Sequence, residues 1–137
     1  MNQPDNLGRL PGGQLKDCGV KPNCVCSCAS RDSQRVPAIP LCGSIDESFR
    51  RLIEVVSNQR GATIVTQVNN QYVRVEFRSR LFRFVDDVEF SISEAEQVIH
   101  VRSAARVGHG DLGVNRRRVI RIASQLQALS PVHRRVR

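Results

Sequence analysis

Residues Phe84 to Arg118 read FVDDVEFSISEAEQVIHVRSAARVGHGDLGVNRRR, and the spacing of their apolar residues decides the fold. Val88, Phe90 and Ile92 alternate with Asp87 and Glu89, the period of two expected of a strand with one face on a core. The spacing predicts this strand over about Phe84 to Ser93. A turn at Ser93 to Glu96 leads to a second strand over about Gln97 to Ala105, where Ile99 and Val101 alternate with His100 and Arg102. The glycine-punctuated loop Gly108 to Gly113 then opens a helix. Asp111 is its expected N-cap, the stripe is Leu112, Val119, Ile122, Leu126 and Leu129, and Pro131 stops it.

Upstream, Thr63 to Val68 and Tyr72 to Arg78 flank Asn69-Asn70, a tight-turn signal because Asn tolerates positive φ. Before them Ile45, Phe49, Leu52, Ile53 and Val56 fall on one helical face. Ser44 and Glu47 carry the capping-box spacing, and Gly61 is the expected stop, so the helix is placed at about Ser44 to Asn58. The expected fold is α+β, ordered α-β-β-β-β-α. It is a two-layer sandwich in which a four-stranded antiparallel meander carries both helices on one face. Residues 1–17 read as a flexible segment and 18–43 as an irregular cysteine-rich arm. The arm belongs to a single domain over 18–130, and 131–137 form a basic tail.

Hydrophobic residues make up 40% of the 137 residues but aromatic ones only 4%, with no Trp, so the core must come from Val, Ile and Leu. No run approaches the roughly 18 apolar residues needed to cross a bilayer, and the first residues lack the basic start and apolar segment of a leader. The net charge is +8, and 19 of the 21 basic residues are Arg, which suits phosphate or carboxylate. Those residues are spread along the chain and no nucleic-acid motif accompanies them, so nucleic acid is not the expected partner.

Cys18, Cys24, Cys26, Cys28 and Cys42 all lie in the first third. Clustering suggests a shared role, as disulfides or as a metal site of Cys24, Cys26, Cys28 and Cys42. Free thiols remain a third possibility, and five is an odd count. CVCSC is not the C-x2-C of a zinc site, so no cofactor is expected and metal is the minor alternative.

The KPNCVCS run around Cys24, the FVDDVEF strand and RSAARVGHGDLGVNRRR together resemble the family catalogued as domain of unknown function 1499. The resemblance spans about Cys18 to Leu129. It implies a cysteine pair at Cys18 and Cys24, and members that are often exported or membrane-associated; it implies no reaction.

Strand parity sets Arg74, Glu76, Arg78, Asp87, Glu89, His100 and Arg102 on the sheet face away from the helices. The plain expectation is a solvated face laced with ion pairs. The sharper one is a polar groove where Arg78 and Arg102 hold an anion. Asp86 and Asn115 point the other way, inward, Asn115 lying within about 40° of the apolar stripe. Both must be paired, and the expected partner is Arg106 or the backbone donors of the 107–113 loop.

Gly108-x-Gly110-x-x-Gly113 spells a dinucleotide fingerprint, but it follows an antiparallel strand and not a parallel βαβ unit, so the match carries no function. Arg117, Arg118 and Arg121 are expected on the solvated helix face. Leu81, Phe82 and Phe84, beside Arg80 and Arg83, suggest a second small core or a contact with a membrane surface or a protein. Adjacent Asp86 and Asp87 face opposite ways and cannot cooperate as a catalytic pair. The expected function is a non-enzymatic accessory or binding module presenting its Arg/Asp loop and arm to a protein partner. The candidate residues are Arg78, Asp86, Asp87, Glu89, Arg102, Arg106, His109, Asp111 and Asn115. The alternative is a small-anion binder or hydrolase using Arg102, Arg106 and the 108–113 loop.

Overall fold

A computed structural model describes residues 4, 6–79, 84–108 and 113–128. Its strands and helices in chain order are β1 (Cys24–Cys26), β2 (Ile39–Pro40), α1 (Ile45–Ser57), β3 (Ala62–Val68), β4 (Tyr72–Arg78), β5 (Val85–Ser93), β6 (Val98–Ala105) and α2 (Val114–Ala128). The fold is α+β, with one antiparallel sheet ordered β1-β6-β5-β4-β3. The four-stranded meander is the centre of a larger sheet, because the arm adds β1 and β2, both paired with β6. Neither short strand carries a period long enough to announce itself in the sequence.

Local chemistry starts and stops these elements. Ser44 accepts from the Glu47 N–H at 3.0 Å while Glu47 accepts from the Ser44 N–H, a complete capping box. Asn70 takes φ 62° in the β3–β4 connection. Gly61 does not end α1, which closes at Asn58. It adjoins β3 instead, where a Cβ would stand 2.7 Å from the Arg78 carbonyl oxygen.

One face of the sheet meets both helices. Val73, Val75, Phe77, Val88, Phe90, Ile92, Ile99 and Val101 pack there with Phe49, Leu52 and Val56 of α1 and Val119, Ile122 and Leu126 of α2. The other face is covered as well. Leu15, Cys18, Cys24, Cys26 and Ala29 form a second cluster with Tyr72 and Ala104. Residues 6–17, expected to be flexible, lie in this cover. The Gly8 N–H donates to Glu89 Oε1 at 2.7 Å, and Arg9 donates to Ser91 Oγ and the Ile92 carbonyl. Gly13 passes so close to the Ile92 backbone that no side chain fits, and its φ of 86° also favours glycine.

Candidate functional site

The expectation of a solvated charged face is overturned, because the arm covers that face. Arg74, Asp87, Glu89, His100 and Arg102 are all buried. Register explains how they meet: Arg74 lies opposite Glu89, Glu89 opposite Arg102 and Arg102 opposite Cys26, a row across four strands. Glu76 and Asp87 form the next row.

Asp87 is the hub. Its Oδ1 accepts from Arg74 Nη1 and Arg106 Nη2, both at 2.9 Å, and its Oδ2 accepts from Arg106 Nε at 2.7 Å. Arg106 Nη2 also donates to Glu76 Oε2 at 2.7 Å. These carboxylates hold the Arg106 guanidinium more firmly protonated than usual, outweighing its desolvation. Arg78, half exposed at the end of β4, approaches Glu76 at 3.4 Å.

Glu89 and Arg102 differ from this saturated group. Their side chains are 0% and 1% exposed and form an ion pair at 3.7 Å with no hydrogen bond between them. Glu89 Oε1 accepts from the Tyr72 hydroxyl at 2.6 Å and from Gly8. Its Oε2, and Nε and Nη2 of Arg102, have no hydrogen-bond partner among the described residues. Burial raises the Glu89 carboxyl against the opposing effects of Tyr72, Gly8 and Arg102. The same burial, with the neighbouring Glu89 charge, raises the Tyr72 phenol. Beside this pair, His100 joins the arm to the sheet through contacts of 2.9 Å to Ser27 Oγ and to Glu96 Oε2.

The inward polar groups on the helix side are paired, but not by Arg106. One residue past the end of β6, Arg106 keeps the parity of Arg102, so it points to the arm and takes Asp87. Asp86 is met by Arg118 Nη1 at 2.9 Å, and the same nitrogen donates to Asn115 Oδ1 at 2.8 Å. Arg118 therefore does not lie on a solvated helix face: it covers the Phe77 ring at 4.5 Å and is 11% exposed. Asn115 also accepts from Ser103 Oγ and donates to the Asn23 carbonyl at 3.2 Å.

Asn23, fully buried and absent from the sequence-based candidates, ties the arm to this corner. Its Nδ2 donates to the carbonyls of Val107 and Gly108. The signal that could have found it is its place in the KPNC run. Tyr72, Arg74, Glu76 and Arg118 were also missed as site residues. Parity placed the middle two on the charged face but gave no reason to expect that face to be closed.

Cys18 and Cys24 are disulfide-bonded, with Cα atoms 5.7 Å apart. Cys26, Cys28 and Cys42 are free. Burial pushes the Cys26 thiol up to about 12. With Cys24 taken by Cys18, the proposed ligand set of Cys24, Cys26, Cys28 and Cys42 is not assembled. Among the described residues no group of three or more His, Cys, Asp or Glu is placed to hold a metal ion. His109 and Asp111 fall outside the described residues, as do Arg80 to Arg83 with Leu81 and Phe82. No described helix is long and apolar enough to cross a membrane.

These features can be set beside known proteins. The family model described as protein of unknown function (DUF1499) matches residues 14–126. The chain belongs to this family. Its matched range holds Asn23, both disulfide cysteines and the six charged residues Arg74, Glu76, Asp87, Glu89, Arg102 and Arg106. No curated protein and no solved structure matches the chain.

Proposed function

We propose that this family member is a non-enzymatic accessory or binding module that presents its arm and α2 to a protein partner. The observation that supports this reading is the balance of the buried cluster. Three carboxylates, Glu76, Asp87 and Glu89, face three guanidiniums, Arg74, Arg102 and Arg106, under the arm. A nucleophile, general acid or anion clamp needs reach to a substrate. Here Arg106 is occupied by its carboxylates, and Arg102 is closed off. The charge braces the arm against the sheet. A surface for a partner lies instead where the arm meets α2. There Pro37, Ile39, Pro40, Val119, Ile120 and Ala123 line a groove of about 260 Å³.

The second reading is a small-anion binder or hydrolase using Arg102, Arg106 and the 108–113 loop. What favours it is the pair of Arg102 nitrogens, Nε and Nη2, that have no acceptor among the described residues. The deciding experiment places a photo-crosslinking amino acid at Ile120 in the native host. A discrete protein adduct that Ala123→Arg abolishes supports the binding module. Absence of an adduct, together with turnover of phosphate or carboxylate esters that Arg102→Met removes, overturns it.

A further inference from the structure

Seven large apolar side chains are exposed among the described residues, and four gather at one end: Val20, Phe84, Val107 and Val114. Backbone pairing brings them there. The Arg106 N–H donates to the Val85 carbonyl at 3.1 Å, one step beyond the Asp86–Ala105 pair. The next step sets Phe84 across from Val107 on the α2 side of the sheet. Asn23 then fixes the corner, holding the carbonyls of Val107 and Gly108 while its own carbonyl accepts from Asn115, the neighbour of Val114. Val20 immediately precedes Lys21, whose ammonium donates to the Ala105 carbonyl at 3.2 Å, and lies three residues before Asn23.

Among the described residues, the exposed charge flanking these side chains is cationic. Asp86 and Glu76 are 15% and 16% exposed and turned to Arg118 and to Arg74 and Arg106. Arg78 and Arg117 are exposed, and Lys21 is partly so, its ammonium resting on the Ala105 carbonyl. Apolar tips within a cationic rim match the boundary of an anionic bilayer, where apolar groups enter the acyl edge and Arg or Lys meets phosphate. The four apolar side chains come from a turn, two strand ends and a helix start. A fluid headgroup layer accommodates such separate tips, whereas a protein would need a matched hollow for each.

We propose that this end docks on an anionic lipid surface, with Val20, Phe84, Val107 and Val114 entering it and Lys21, Arg78 and Arg117 as the charged rim. This contact is independent of the groove beside Ile120.

Co-sedimentation of the full chain tests it, with vesicles of phosphatidylcholine alone and of phosphatidylcholine with about one third phosphatidylserine. The expected result is binding to the mixed vesicles only, weakened about tenfold or more by Phe84→Ser with Val107→Ser, and by about 0.5 M salt. Both changes fall at exposed side chains, and an unchanged thermal midpoint checks folding. Arg78→Glu, which leaves the apolar tips intact, should weaken binding as well. No binding to mixed vesicles at low salt overturns the proposal, as does binding that the double variant and Arg78→Glu both retain. Retention on immobilised polyglutamate without vesicle binding also overturns it, and assigns the surface to an acidic protein.

Discussion

Arg102 is a permanent cation held 1% exposed, with Glu89 as its ion-pair partner at 3.7 Å. Removing one member of such a pair leaves the other buried and uncompensated. Arg102→Met is therefore expected to cost about 3–5 kcal/mol in urea unfolding, and Arg102→Met with Glu89→Gln to recover most of it. A double variant no more stable than the single would show that packing, not charge, holds this position. Glu89 adds a pH dependence of definite sign. Its folded pKa is raised above 4.5, so the native chain holds that proton more tightly than the unfolded chain. The stability it contributes is full below pH 4.5 and is lost as pH rises through the folded value. Denaturation midpoints measured upward from pH 4.5 should carry a falling component that Glu89→Gln flattens, and an unflattened profile would place the proton elsewhere. Parity in the sequence set Glu89 and Arg102 on one face together. Their burial was not legible, because the residues that cover them have no period.

The arm is the element that closes this face, and the Cys18–Cys24 disulfide fastens it to the edge of the sheet. The two cysteines are six residues apart, and closing so short a loop stabilises by about 2 kcal/mol in the chain-entropy view. Reductant should lower unfolding stability by that amount and speed exchange of the Gly8 amide that bonds Glu89, read by mass spectrometry. Alkylation in denaturant should label three thiols without reductant and five with it. Five labels in both conditions would remove the disulfide from the account of the arm. In the folded chain Cys26 should react last, because it is buried and its thiol pKa is raised to about 12. The helix α1 offers a simpler test. Ser44→Ala removes the acceptor of the Glu47 N–H and should cost about 1 kcal/mol; a change near zero would mean that another acceptor replaces it. That cap was legible from four residues, since the capping box is a local motif. The strands β1 and β2 were not, since two or three residues become a strand only when β6 lies alongside.

At the scale of the molecule, the central strands of the sheet are buried from both sides, by helices on one face and by the arm on the other. Amides of β5 and β6, central and covered twice, should exchange only through global unfolding. Those of β3, an edge strand with a register shift between Ile64 and Thr66, should exchange through smaller openings. Equal protection in β3 and β6 would contradict this layering. By itself the sequence determined the α+β class, the four meander strands, α1 with its cap, the course of α2 and the helix-facing core. Each of these rests on a local period or a local hydrogen bond. Only the tertiary structure decided that the charged face is closed, that Arg106 serves Asp87 while Arg118 serves Asp86, and that Asn23 joins the arm to α2. Those outcomes depend on segments far apart in the chain lying against one another, and the cost of burying unpaired charge then selects which partners they take.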